Sequence, residues 1–209
     1  MEQDTIDLLK ELVAIDSQNP SLVPGAAGES QIAAYVADWA KGAGLTAEIM
    51  EETPGRPSVV VRSGASSGAG SARSLLLCGH LDTVGVSEMS DPLSPVIRGD
   101  RLYGRGAYDM KGGLAAALIA CREAARRGLG VIVAAVADEE HSSLGVQEVL
   151  GHVRADAAIV TEPTELTVAT AHRGNARDRD QRGRGGRARL AAAPRRRRDH
   201  EDRSRPDRA

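Results

Sequence analysis

From residue 74 onward, short apolar runs alternate with amphipathic segments, and that alternation leaves few folds open. Residues 74–78, 130–137 and 157–160 are aliphatic stretches of strand length. Between them, residues 113–127 put Leu114, Leu118 and Cys121 on one helical stripe, and residues 144–153 return to helical spacing. A strand followed by a helix and then another strand calls for parallel pairing, because the helix carries the chain back across one face of the sheet. Upstream, residues 5–15 (Ile6, Leu8, Leu9, Leu12, Val13, Ile15) and 30–41 (Ile32, Tyr35, Val36, Trp39) read as helices, the second stopped by Gly42 and Gly44. Residues 46–50 and 58–62 read as strands about the turn Thr53-Pro54-Gly55, residues 96–103 as a hairpin through Gly99-Asp100, and residues 166–171 as one more strand. Residues 16–28 are a loop rich in Ser, Asn, Pro and Gly, and residues 63–71 read as a flexible surface loop. The expected fold is α/β: a three-layer sandwich with a mixed, largely parallel sheet flanked by helices.

Composition narrows the function classes. The chain has no Phe, so its core must be built from Leu, Val, Ile and Ala. Its net charge of -2 hides a division: residues 173–209 hold 14 of the 27 basic and 6 of the 29 acidic residues, leaving residues 1–172 at about -10. The two cysteines, Cys78 and Cys121, sit in apolar patterns and read as buried thiols, not a disulfide. The acidic start lacks the apolar stretch of a signal peptide, and no apolar run reaches membrane-spanning length; a cytoplasmic protein without membrane partners is expected.

In an open α/β sheet, ligands bind just past the carboxyl ends of the strands, and the chemically distinctive residues follow that rule. Cys78-Gly79-His80-Leu81-Asp82-Thr83-Val84 places an imidazole and a carboxylate after the first of these strands; it is either a metal-ligand histidine with an orienting partner or a turn histidine beside a capping aspartate. Gly104–Gly113 brackets Asp109 with glycines at a helix start, where an aspartate is either an N-cap or a carboxylate bridging two metals. Asp138-Glu139-Glu140 follows the strand 130–137; three adjacent carboxylates repel one another unless a cation or a helix N-terminus relieves them. Thr161-Glu162-Pro163-Thr164 follows residues 157–160 and adds a carboxylate at the same sheet edge.

In combination, GHLDTV, GRGAYDMKGG, DEE and TEPT resemble the M20 family of zinc peptidases and deacylases, most of all its acetylornithine deacetylase/succinyl-diaminopimelate desuccinylase branch, with carboxypeptidase G2 and aminoacylase relatives. The resemblance runs from about Ile6 to Gly174. It implies two divalent metal ions, zinc first and cobalt or manganese as alternatives. His80 and Glu162 would hold one ion, Glu140 the other, and Asp109 would bridge them. Asp82 would orient His80, and Glu139 would act as general base and then general acid. A cis peptide at Asp109–Met110 is implied as well. His141 would remain a loop residue without a ligand role. The implied reaction is hydrolysis of an amide bond in an N-acyl amino acid or small peptide.

Family members continue into a lid and dimerisation domain and then return to the catalytic domain with one further His ligand; full-length relatives are expected to be homodimers. Residues 1–172 correspond to the N-terminal part of the catalytic domain, and residues 173–209 form an Arg-rich tail whose composition predicts disorder. Codons for residues 187–209 can be chosen so that reading one base later gives a His-Gly-x-x-Pro motif followed by an amphipathic helix, which resembles the family's lid domain. The tail is therefore read as frameshifted, and the chain as a truncated product expected to be inactive alone. The alternatives are a non-catalytic fragment that binds metal or a partner, and nucleic-acid contact through the basic tail; nucleic acid is not the expected partner.

Overall fold

The computed structural model describes residues 1–64 and 73–170. Every element lies in one compact unit, residues 1–168. The elements run α1 (Glu2–Ala14), α2 (Ser30–Gly42), β1 (Thr46–Met50), β2 (Ser58–Arg62), β3 (Ser74–His80), β4 (Val96–Arg98), β5 (Arg101–Tyr103), α3 (Gly112–Arg126), β6 (Gly130–Val136), α4 (Leu144–His152) and β7 (Ala157–Val160). A kinked turn, Ala107–Lys111, leads into α3. Five strands form one sheet in the order β1-β2-β6-β3-β7, and β4 and β5 form a separate hairpin.

The sheet is mixed, as expected, but it is not largely parallel. The pairs β3·β6 and β3·β7 are parallel, whereas β1·β2 and β2·β6 are antiparallel. The antiparallel pairing of β1 with β2 comes from residues 51–57, a connection too short to hold the crossover that parallel neighbours need.

Period-2 alternation divides the strands between two cores. Val59, Val61, Leu77, Val133 and Ala135 face α1, α2 and α3, which contribute Leu8, Leu12, Ile32, Val36, Leu114, Leu118 and Cys121. Val60, Leu76, Cys78, Ile132, Ala134 and Val136 face the opposite way, onto Val149 and Val153 at α4. This gives the three-layer sandwich: three helices, the sheet, one helix. Glycines in the left-handed region stop two of the helices. Gly44 (φ +79) follows α2 and lets the Leu45 N–H reach the Ala40 carbonyl. Gly128 (φ +67) does the same after α3, with Leu129 bonding to Ala124.

The strand expected at residues 166–171 does not form in its described part, residues 166–170. Leu166 and Val168 lie fully exposed, so the β-prone sequence there has no ladder to join among the described residues. Both cysteines are buried and free, and burial pushes their thiols up to about 11 (Cys78) and about 12 (Cys121). Among the described residues no helix is long and apolar enough to cross a membrane. The Arg-rich tail, the frameshift reading that falls on it, and most of the loop 63–71 lie outside the described residues.

Candidate functional site

The parallel strands set the site. The chain leaves β3, reaches β6 through α3 on one face, then reaches β7 through α4 on the other, so β6 and β7 flank β3. The segments after β3, β6 and β7 thus share one edge of the sheet, at the point where the connections change sides. His80 is the last residue of β3, Glu139 and Glu140 follow β6, and Glu162 follows β7. Asp109 arrives from the kinked turn before α3.

His80 is buried and its tautomer is fixed. Its Nδ1–H donates to the backbone carbonyl of Asp82 at 2.8 Å, which turns Nε2 toward the neighbouring carboxylates, where it could serve as a ligand. Around Nε2 lie Asp109 Oδ1 at 3.2 Å, Glu162 Oε1 at 3.6 Å and Glu139 Oε2 at 3.8 Å. Donor atoms of His80, Asp109 and Glu162 fall within 4.8 Å of one another, close enough to hold one ion. An imidazole with two carboxylates is a donor set that suits zinc and its divalent neighbours, and it fits the metal that the sequence reading called for. Glu140 stands outside this group. With Asp109, Thr83, Arg105 and Tyr108 it lines an adjoining cavity of about 230 Å³, so Asp109 is common to both places.

The charges record the crowding. Burial alone would lower the His80 imidazole, but its hydrogen bond to Asp109 and the carboxylates of Asp82, Glu162 and Glu139 push it up to about 9. Burial, joined by Asp109, Glu139 and Glu140, outweighs the pull of His80 and pushes Glu162 up to about 7. Burial likewise raises Glu140, whereas His80 holds Asp109 low.

Asp109 is not an N-cap. Its backbone is extended (φ -117, ψ 101), its bond to Met110 is cis, and Lys111 occupies the residue before α3. Close packing fixes this turn. Lys111 is buried, and its Nζ donates at 2.9 Å to the carbonyls of both Leu12 and Ile15 at the end of α1. A Cβ on Gly113 would stand 2.2 Å from the Thr161 carbonyl oxygen, so glycine there lets α3 reach the chain just ahead of Glu162.

Asp82 meets His80 Nδ1 through its backbone carbonyl, while its carboxylate Oδ1 stays 3.6 Å from that nitrogen. The carboxylate instead accepts the N–H groups of Glu139 (3.1 Å) and Glu140 (3.2 Å) and the amide of Asn19 (2.6 Å). Asp138 does not join the other carboxylates. It is buried, takes a left-handed backbone (φ +60), and its Oδ1 lies 2.9 Å from Arg56 Nη2 and accepts from Asn19 at 3.0 Å. The cation that relieves Asp138 is therefore a guanidinium. His141 lies beside it, with Nδ1 3.8 Å from Asp138 Oδ1.

Sequence reasoning missed Asn19, Glu29, Arg56 and Lys111. Asn19 sat in a stretch that read only as a loop, Glu29 beside a helix start and Arg56 after a turn, all places where polar residues are ordinarily solvated. A Lys among glycines gave no sign that it would be buried.

Residues 76–177 match the model of the peptidase family M20/M25/M40. The acetylornithine deacetylase of Proteus mirabilis (strain HI4320) is 32% identical over 179 residues, covering 81% of this chain and 45% of that protein. Its counterpart in Photorhabdus laumondii subsp. laumondii is also 32% identical, with the same coverage of 81% and 45%. The chain thus spans less than half the length of these curated relatives. Among solved structures, the M20 family metallo-carboxypeptidase Sso-CP2 from Sulfolobus solfataricus superposes with a TM-score of 0.63 at 25% identity, covering 76% of this chain and 37% of that one. Human carnosine dipeptidase 1 shares the fold with a TM-score of 0.61 at 20% identity, covering 76% and 38%.

Proposed function

Because the chain belongs to the peptidase family M20/M25/M40, we propose that its site serves metal-dependent hydrolysis of the amide bond of an N-acyl amino acid or small peptide. The observation that carries this reading is the convergence of His80 Nε2, Asp109 and Glu162 within 4.8 Å, with Glu139 beside them. His80 and Glu162 would hold one divalent ion and Glu140 a second, with Asp109 shared between them; zinc is the ion we assign. Such ions would supply Lewis-acid polarisation of the scissile carbonyl and make a water easier to deprotonate.

This chain's own residues do the rest. The Asp82 carbonyl keeps His80 in the tautomer that presents a lone pair at Nε2. Glu139 is partly open to solvent, with a side-chain exposure of 43%, and reaches to 3.8 Å from that nitrogen, a position from which a carboxylate can act as base. It takes the proton of the attacking water and delivers it to the amine nitrogen as the C–N bond breaks. The cavity beside Asp109 and Glu140, with Arg105 in its wall, accommodates the substrate.

Metal content and turnover test this together. In the chain completed by the lid domain and the returning catalytic segment, Glu139→Gln should keep its zinc and lose turnover of N-acetyl amino acids by about 100-fold or more. Asp109→Ala should lose metal. A wild-type chain that takes up no zinc would overturn the reading. Full turnover in Glu139→Gln would remove Glu139 from the role of base.

A further inference from the structure

We propose that Asn19 is a positioning residue, the amide that joins two buried carboxylates and thereby aims Glu139 and Glu140; this rests on the roles proposed above for those two glutamates. Asn19 is fully buried, although it belongs to the loop that connects α1 to α2. Its Nδ2 donates to Asp82 Oδ2 at 2.6 Å and to Asp138 Oδ1 at 3.0 Å. Both hydrogens of one amide are thus committed to carboxylates that would otherwise repel each other. Its Oδ1 accepts the Ser21 N–H at 2.8 Å, which fixes which end of the amide is the donor.

The two carboxylates face the site differently. The two oxygens of Asp82 accept the successive N–H groups of Glu139 and Glu140, at 3.1 and 3.2 Å. With Asp138 at φ +60, this is the concave arrangement of consecutive N–H groups that suits an anion, here filled by the protein's own carboxylate. Asp138, the residue just before, is held by Asn19 on one side and by Arg56 on the other. Asn19 therefore ties down both the carboxylate that anchors the 139–140 backbone and the residue from which that backbone starts.

The loop is itself anchored to the strand end. The Asn19 N–H donates to the Thr83 carbonyl at 2.9 Å, and the Thr83 N–H donates to Ser17 at 3.0 Å. Asp82, whose backbone carbonyl fixes His80 and whose carboxylate fixes Glu139 and Glu140, immediately precedes the residue that makes both contacts. A shift of Asn19 would move ligand and base together. It touches none of the reacting atoms, so its influence passes through Asp82 and Asp138.

The test uses the full 209-residue chain as wild type, Asn19→Asp and Asn19→Ala. Asn19→Asp keeps the shape and replaces the donor with a third carboxylate; Asn19→Ala removes the amide. Zn²⁺ affinity is read by competition with a chelator, and the exchange rates of the Glu139 and Glu140 amides by NMR, with the β6 amides as an internal reference for global stability. The expected result is a loss of Zn²⁺ affinity of about 10- to 100-fold, as for other residues that orient metal ligands, together with at least tenfold faster exchange at 139 and 140 relative to β6. Unchanged affinity and unchanged 139–140 protection in both variants would overturn the proposal. So would an equal loss of protection throughout β6, which would mark Asn19 as structural only. If wild type itself binds no Zn²⁺, the hydrolase reading fails, and the amide-exchange comparison still decides whether Asn19 holds the 139–140 backbone.

Discussion

Removing the Arg56 guanidinium should destabilise the fold more than any exposed charge could. Its Nε and Nη2 make a two-pronged pair with Glu29, at 2.9 and 2.6 Å, and Nη2 also lies 2.9 Å from Asp138. The side chains of Glu29 and Asp138 are wholly buried and that of Arg56 is 9% exposed. One cation thus serves two buried carboxylates, with Asp82 a third nearby that raises Glu29. Breaking a buried pair by deleting one partner costs about 3–5 kcal/mol, most of it the penalty of an uncompensated buried charge. Arg56→Met should therefore lose about 4 kcal/mol, a large share of the ~5–15 kcal/mol that holds a domain together. In equilibrium urea unfolding followed by circular dichroism, with a slope of about 2 kcal/mol per molar, the midpoint should fall by about 2 M. The loss should also depend on pH. Burial already raises Glu29 above its ordinary 4.5, and Arg56 pulls against that rise. Without the cation Glu29 rises further, so the folded variant keeps a proton there that the unfolded chain releases above 4.5. Stability gained from that proton is present at low pH and lost as pH increases. The deficit should be smaller near pH 5 than near pH 8, and Arg56→Met/Glu29→Gln should recover at least half of it. A loss below about 1 kcal/mol at neutral pH, or no recovery in the double variant, would refute the idea that burial makes this pair costly to break.

Two glycines should respond in opposite directions. Gly113→Ala drives a Cβ to 2.2 Å from the Thr161 backbone oxygen, which cannot step aside, and should cost about 3 kcal/mol in urea unfolding and impair metal binding through Glu162. Gly151→Ala, in α4 with nothing within 4 Å of the added methyl, should gain about 0.5–1 kcal/mol. Metal uptake should release protons. His80 is pushed up to about 9 and Glu162 to about 7 in the metal-free site, so near neutral pH a binding ion must displace the His80 proton and part of one on Glu162, between about one and two per ion at that position. Affinity should rise with pH up to about 9, and calorimetry in two buffers of different ionisation enthalpy should give different heats; identical heats would exclude His80 as a ligand.

The residues that meet at the strand ends were legible in sequence because a strand has a definite end. Once residues 74–78, 130–137 and 157–160 read as strands, His80, Glu139, Glu140 and Glu162 had to share an edge wherever those strands run parallel, as β3, β6 and β7 do. Periodicity also separated the two faces, and Val59 and Val60 fall in different cores as alternation requires. What periodicity cannot carry is a polar contact between distant segments. Asn19 and Asp138 are 119 residues apart and Arg56 and Glu29 are 27 apart, and none of the four has a spacing that distinguishes it from a solvated loop or cap residue. The acidic triplet illustrates the cost of that gap. Repulsion among Asp138, Glu139 and Glu140 left a cation or a helix N-terminus open as the source of relief, and local sequence could not say that the first of the three turns inward to a guanidinium. The positive φ at Asp138 makes that division possible: the carboxylate goes to the interior network while the following two N–H groups swing onto Asp82. The two glutamates are then supported from behind by an interior network, and this is why substitutions at Asn19 or Arg56, neither of them a metal ligand, should be felt at the site.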